Sequence, residues 1–190
     1  MIAPVGHTEP TARDSAGGGK GTAARPDKPF PPPPRMRDLD FLLGSFTCVY
    51  TPPGQQEEKV VLTSTKRALS GHYYDSLTTI PADNLHSRQI FGWNPADGKY
   101  VMQFHDDWGS SGTAESPTPQ DGALKFSGSY LLIEAPSADG TAKGNRATVD
   151  DEITPLDGDR YRDVQTLTFS NGFTFQLTYL CRRSKAGHGE

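Results

Sequence analysis

The sequence predicts an all-β protein: a single antiparallel, closed β-barrel of about nine or ten strands, preceded by one short helical turn. From Ser45 onward, segments rich in Val, Ile, Thr, Tyr and Phe alternate with clusters of Gly, Pro, Asn and Asp, and no long helical period interrupts them. The turns at residues 94–98, 157–159 and 170–172 have hairpin chemistry, which makes successive strands antiparallel. Closure into a barrel is favoured over a sandwich because it removes two exposed sheet edges.

One domain accounts for the chain, because 190 residues with 34% hydrophobic and 22% charged positions bury one core and not two. We expect a disordered Pro- and Gly-rich arm over residues 1–37, the barrel over residues 38–184 and a flexible tail over residues 185–190. The proline run at the end of the arm favours polyproline II, either as a spacer or as a segment that docks on a partner. Residues 38–44 run from the Asp38 carboxylate through apolar side chains to Gly44, which indicates a helical turn that plugs one barrel end.

Alternation along the chain defines nine strands. They cover residues 45–50, 58–69, 72–80, 87–93, 99–106, 123–133, 146–154, 160–169 and 173–182. In the last strand, Phe175, Leu177 and Tyr179 share the side that should face the lumen, whereas the strand over residues 160–169 has a mixed face and stays ambiguous. The polar stretches over residues 109–121 and 135–145 are interpreted as loops, either lids or variable decoration.

Composition excludes several classes of function. The net charge of −4 leaves no basic stripe for nucleic acid, and no apolar run is long enough to cross a membrane. The N-terminal residues have no basic segment followed by an apolar one, which favours a cytoplasmic protein. No metal-ligand spacing, glycine-rich phosphate loop or serine-hydrolase elbow is present, so the sequence predicts neither a metal site nor a cofactor.

The two cysteines, Cys48 and Cys181, lie on the first and last predicted strands. These strands become neighbours in a closed barrel, so a disulfide is geometrically allowed. Because a cytosolic protein normally keeps its thiols reduced, two free cysteines are the favoured expectation.

The densest group of reactive side chains is the stretch from His105 to Trp108, at the end of a predicted strand. Alternation assigns the side chains here to two faces: Gln103, His105 and Asp107 on one, Met102, Phe104 and Asp106 on the other. Alternation alone does not decide which face is the inner one. With the first face inside, His105 and Asp107 are candidate general acid–base catalysts. The alternative is a polar strand end that runs into solvent.

A second candidate face contains His72 and Tyr74, which alternate with Tyr73 and Leu77. If His72 and Tyr74 face the lumen, His72 becomes a third catalytic candidate; in the alternative, Tyr73 and Leu77 pack inside. The predicted ligand-binding side chains are polar or aromatic residues of the candidate inner faces: Tyr74, Arg88, Trp93, Gln103, Trp108, Tyr130, Phe175 and Tyr179. The acidic runs at residues 150–152 and 157–159 are interpreted as solvated, because consecutive strand residues point apart.

Several pieces in order give the chain a family resemblance. Asp40-Phe41-Leu42-Leu43-Gly44-Ser45-Phe46 is followed by Gly92-Trp93-Asn94, by Gly98-Lys99-Tyr100, by Asp106-Asp107 and by Tyr179-Leu180-Cys181-Arg182-Arg183. Over roughly residues 38–183 this resembles the bacterial domain-of-unknown-function family 1579, whose members resemble calycin, or lipocalin-like, barrels. In calycins a Gly-x-Trp stands on the first strand and an arginine from the last strand packs on the indole. The resemblance implies that Phe46 takes the tryptophan position here and that Arg182 or Arg183 lies over its ring.

The resulting hypothesis is a barrel that binds an apolar or aromatic small molecule; its extension is an enzyme that catalyses a cofactor-free cyclisation, isomerisation or dehydration of that molecule. The alternative is a non-catalytic protein-interaction module with a filled barrel. The volume of the lumen separates the two, since a ligand needs several hundred Å³. Neither nucleic acid nor membrane is an expected partner, and a homodimer is expected from general frequency alone.

Overall fold

The computed structural model describes residues 30–133 and 143–184, and the architecture belongs to the unit that begins at Pro31. Ten antiparallel strands form one closed barrel in the order β1-β10-β9-β8-β7-β6-β5-β4-β3-β2. The strands are β1 (Gly44–Tyr50), β2 (Lys59–Ala68), β3 (Tyr73–Ile80), β4 (Leu85–Asn94), β5 (Lys99–Asp106), β6 (Ser111–Ser116), β7 (Leu124–Ile133), β8 (Gly144–Asp157), β9 (Arg160–Phe169) and β10 (Thr174–Arg183). The predicted all-β closed barrel is confirmed.

Strand β6 lies inside the stretch that the sequence analysis assigned to a loop over residues 109–121. Its inner face carries Gly112 and Ala114, which are too small to give an apolar alternation. The small residues are needed by the neighbouring strand: a Cβ at Gly112 would lie 2.1 Å from Cδ1 of Tyr130 on β7. The Tyr130 ring therefore occupies the space that larger side chains of β6 would otherwise fill.

A 3₁₀ helix, Pro34–Leu42, covers one end of the barrel. It buries Met36, Leu39 and Leu42, whose spacing of three matches the three residues per turn of this helix. The expected helical plug is confirmed, although the helix begins at Pro34 and not at Asp38. Proline fits the first turn because its φ is already helical and its missing N–H has no partner there in any case.

Two carboxylates of the helix fix it to the strands beneath. Asp40 accepts hydrogen bonds from the Tyr74 hydroxyl and, at 2.9 Å, from the Arg67 guanidinium. Asp38 accepts one from the Tyr100 hydroxyl. The helix-covered end is thus closed by both apolar packing and polar contacts, and the opposite end is called the far end below.

The barrel closes where β1 pairs with β10. Cys48 lies directly opposite Cys181 in this pairing, and the two are joined by a disulfide. The favoured expectation of two free thiols is therefore wrong, because closure of the barrel brings the two residues into register. Arg183 lies over the Phe46 ring, with Cζ 4.5 Å from the ring centroid, and donates a hydrogen bond of 2.6 Å to the Leu43 carbonyl. The contact expected from the calycin resemblance is present, and Arg183 provides it.

Several expectations fall on parts of the chain that the structure does not describe. Residues 1–29 of the predicted arm, residues 185–190 of the predicted tail and most of the loop at residues 135–145 lie outside the described residues. In the described part, no helix has the length and apolarity that a membrane crossing requires. Across the same residues, no three His, Cys, Asp or Glu side chains gather where they could hold a metal ion.

Candidate functional site

The barrel encloses a cavity of about 390 Å³, called the lumen below. It extends from Leu42 of the helix to Asp83, Trp108 and Ile133 at the far end. Its wall combines aliphatic and aromatic side chains with hydroxyls, among them Thr63 and Ser76. A cavity of this size and composition can enclose a small organic molecule.

Several polar groups of the wall already have partners. On β2 and β3, the Thr65 hydroxyl donates to Ser76 Oγ at 2.9 Å, and Thr63 Oγ1 lies 3.1 Å from the same oxygen. At the far end, Asp106 accepts backbone N–H bonds from Trp108 at 3.0 Å and Ser110 at 2.7 Å. These groups therefore shape the wall and need no hydrogen bond from a ligand.

Two carboxyls on neighbouring strands lack partners of this kind. Asp151 on β8 is only 2% exposed, and neither of its oxygens has a hydrogen-bond partner in the described structure. Asp163 on β9 borders the lumen, and its Oδ1 is also buried without a partner. The strand register sets Asp151 opposite Gln165 and Asp163 opposite Ile153, so the two carboxyls are diagonal neighbours on the inner face. We call them the carboxyl pair.

Burial raises the pKa of both carboxyls, because the charged form loses its hydration. The negative charge of Asp163 raises the pKa of Asp151 further, well above its usual range. Two carboxyls in such a position titrate as a unit and tend to share one proton. The barrel wall therefore contains a proton donor and a proton acceptor in adjacent positions, of which Asp163 lines the lumen.

Three tyrosines belong to the surroundings of the carboxyl pair: Tyr130 on β7, Tyr161 on β9 and Tyr179 on β10. Burial raises the pKa of each phenol, and the nearby Asp151 and Asp163 raise it further. Tyr130 is 3% exposed, stacks on Phe104 with ring centroids 5.1 Å apart, and its hydroxyl has no partner among the described residues. These phenols are neutral hydrogen-bonding groups at ordinary pH.

The disulfide belongs to the same wall. Cys48 and Cys181 both line the lumen, and Cys48 Sγ lies 3.8 Å from the Tyr161 hydroxyl oxygen. Tyr161 also packs edge-on against Phe46, with centroids 5.0 Å apart. The bond that joins the two closing strands therefore also positions a phenol of the site.

The first face proposed for β5 lies outside the barrel. Gln103, His105 and Asp107 are exposed, and the inner residues of this strand are Met102, Phe104 and Asp106. The orientation that would have brought His105 and Asp107 into the lumen is wrong, because the apolar alternates fill the interior. Asp107 instead pairs with a histidine outside the predicted set, His86, whose Nδ1 lies 2.9 Å from Oδ2. A catalytic role in the lumen is not supported for either residue by its position.

Arg88 is also on the outer face, where it forms two hydrogen bonds of 2.8 and 3.0 Å with the Asp75 carboxylate. His72 precedes β3, next to the short 3₁₀ turn Leu69–Gly71 at the helix-covered end. His72 is not among the residues that line the lumen. The expectation that Arg88 and His72 act on a ligand inside the barrel is corrected by these positions.

Six predicted residues do point inward: two under the helix, three on the lumen wall and one behind that wall. Tyr74 and Trp93 lie under the helix and outside the lumen wall: Tyr74 bonds to Asp40, and Trp93 packs against Tyr100 with centroids 4.9 Å apart. Trp108, Phe175 and Tyr179 line the lumen itself. Tyr130, described above, lies behind Phe104. Their contribution to ligand binding stays a prediction.

The carboxyl pair was not predicted, although the sequence contains a signal for Asp151. Val149, Asp151 and Ile153 alternate on one face, so a carboxyl stands on an otherwise apolar strand face. The flanking acids Asp150 and Glu152 obscured this by making the segment look like a solvated run. For Asp163 the mixed face of its strand gave no decision.

The fold and lumen together define a closed, ten-stranded antiparallel barrel with an internal cavity, an architecture that can bind a ligand. The crystal structure of Rv2717c from M. tuberculosis is similar to it, with a TM-score of 0.56 and 15% identity, over 81% of this chain and 99% of that chain. At this identity the likeness shows the fold alone. No family model and no curated protein matches the chain, so the resemblance to family 1579 is not confirmed beyond the barrel.

Proposed function

We propose that the protein binds a small, largely apolar or aromatic molecule inside the barrel, with the polar group of the ligand at the carboxyl pair. The observation that carries this proposal is a lumen of about 390 Å³ that borders buried polar atoms without partners. Buried polar groups are nearly always hydrogen-bonded in folded proteins, and an orphan costs about 1–3 kcal/mol. A ligand that meets these atoms would offset that cost.

The alternative of a filled barrel that serves only protein interaction has less support, because side chains leave several hundred Å³ unoccupied. The aromatic wall suits a flat apolar body. Phe175, Tyr179 and Trp108 contribute ring faces to it.

The test uses a fluorescent neutral apolar probe, phenylnaphthylamine, with the full chain. We expect saturable binding that is lost in Gln165→Trp, because Gln165 lines the lumen and tryptophan fills it. Gln176→Trp is the matched control, since Gln176 is exposed on the neighbouring strand and bonds outward to Thr166. Equal binding by both variants would place the probe outside the lumen and refute the proposal.

Catalysis is a second candidate function, favoured by the raised pKa of the carboxyl pair. The protonated carboxyl can donate a proton to one ligand atom while the ionised one accepts a proton from another. Isomerisation or dehydration by this route balances without a cofactor. His105, Asp107 and His72 have no part in it.

Catalysis is tested by incubating a metabolite extract with the protein and following it by mass spectrometry and chromatography. One species should be depleted and an isomer or dehydrated form of it enriched, and Asp151→Asn should abolish both changes. An extract that the wild type leaves unchanged would leave ligand binding as the whole function.

A further inference from the structure

The charged groups of the lumen wall all have the same sign. Among the described residues, the acids Asp83, Asp106 and Asp163 line the cavity, and no lysine, arginine or histidine does. Low-dielectric walls that carry one sign of charge concentrate the field inside a cleft. The lumen is therefore electronegative, and it is unsuited to a fatty acid or another anionic ligand.

Only part of this negative charge is balanced by the protein. Lys59 Nζ lies 2.6 Å from Asp83 Oδ1, so this carboxylate has its own cation. Asp106 has the two backbone N–H donors described above. Apart from the proton that they share, Asp151 and Asp163 have no cation, and no donor of the described residues reaches either oxygen of Asp151 or Oδ1 of Asp163. The negative charge that the protein does not balance is thus located at the carboxyl pair.

We propose, on the basis of the binding function proposed above, that the ligand is an organic cation: a protonated amine on an apolar or aromatic body, whose ammonium group lies against Asp163, the member of the carboxyl pair that lines the lumen. A carboxyl pair that shares one proton has one negative charge, which a single ammonium neutralises. The ammonium supplies N–H donors to the Asp163 carboxyl, and Asp151 beside it takes part through the shared proton.

The surroundings of the pair fit a cation as well. The titratable groups that face it are Tyr130 from β7, Tyr161 from β9 and Tyr179 from β10, all neutral phenols. Tyrosine rings attract ammonium groups through their negative faces, and their oxygens accept hydrogen bonds. Asp151 is 2% exposed and Tyr130 is 3% exposed, both with unpartnered oxygens directly behind the lumen wall that Asp163, Tyr161 and Tyr179 form. The site is therefore built before any ligand arrives.

Three probes with the same body and different head groups test the inference: phenylbutylamine, phenylbutanol and phenylbutyrate, measured with the full chain by isothermal titration calorimetry. We expect the amine to bind at least about tenfold more tightly than the alcohol, because charge-assisted hydrogen bonds are stronger than neutral ones. The carboxylate should bind most weakly. In the double variant Asp151→Asn/Asp163→Asn the preference for the amine over the alcohol should be lost, whereas each single variant retains one carboxylate and should keep it.

Asp150→Asn is the matched control, since it removes one negative charge from the same strand on the outer face, where Asp150 accepts a bond from Ser127. It should keep the preference for the amine. The permanently charged phenylbutyl-trimethylammonium adds a second readout. Its affinity should rise with pH as the pair loses its proton, because cation binding and proton binding compete. This rise should be absent in Asp151→Asn.

The outcomes separate this inference from the binding function. If the alcohol or the carboxylate binds as tightly as the amine while phenylnaphthylamine still binds, the cation inference is overturned and the binding barrel stands. If an amine preference persists in the double variant Asp151→Asn/Asp163→Asn, the cation lies elsewhere and the inference is equally overturned. If none of the probes binds, both proposals fail.

Discussion

Replacing Asp151 by asparagine should make the protein more stable at neutral pH and change how its stability depends on pH. The sign follows from linkage. Below the usual Asp pKa of 3.8, the carboxyl is protonated in both the folded and the unfolded chain. Above it, the unfolded chain releases the proton while the buried carboxyl retains it, so raising the pH favours unfolding until the folded-state pKa is passed.

The magnitude follows from the number of protons involved. One proton retained by the folded state lowers the free energy of unfolding by about 1.4 kcal/mol per pH unit across that window. The wild type should therefore lose stability as the pH rises above 4, and Asp151→Asn should lose less. The difference between the two proteins should grow with pH and then become constant.

Urea unfolding of the oxidised full chain between pH 4.5 and 8 measures this difference, with Asp150→Asn as the control for removal of one surface charge. The comparison cancels contributions from groups that both proteins share. A difference in the free energy of unfolding that does not change with pH, whichever protein is the more stable, would contradict the raised pKa of Asp151.

Two further predictions concern the fold that holds the site. Replacing both Cys48 and Cys181 by serine should lower the free energy of unfolding by about 2–5 kcal/mol, because the disulfide closes a loop with a sequence separation of 133. Urea unfolding of the variant beside the oxidised wild type measures this loss. An unchanged midpoint would contradict the chain-entropy reasoning. Gly112→Ala should lower the free energy of unfolding by about 1–3 kcal/mol, because the new Cβ would lie 2.1 Å from Tyr130 Cδ1. Gly158→Ala is the control and should be close to neutral, because no heavy atom lies within 4 Å of its new Cβ. Equal shifts in melting temperature for the two variants would show that the Tyr130 ring does not depend on Gly112.

Most of the fold was predictable because strand alternation and turn chemistry are local. Strand β6 was not, since Gly112 and Ala114 are small for a reason that lies on another strand. Only the position of Tyr130 explains them. The helix start at Pro34 likewise depends on the tertiary packing of Met36, which the proline-rich sequence around it did not reveal.

The site was harder to predict because chemistry and orientation gave opposite answers. The reactive side chains of His105 and Asp107 suggested a site, but Met102 and Phe104 alternate with them and are the residues that point into the barrel. Asp151 was hidden for the converse reason, since its acidic neighbours resemble a solvated run. A carboxyl among apolar alternates is the more informative signal, because its burial must be compensated.

The most direct test of the binding function is native mass spectrometry of the freshly purified full chain beside a denatured control. We predict a small molecule that travels with the folded wild type, dissociates on denaturation and is absent from Gln165→Trp but present in Gln176→Trp. An empty wild type, together with a melting temperature that neither phenylnaphthylamine nor phenylbutylamine raises, would contradict a ligand-binding lumen.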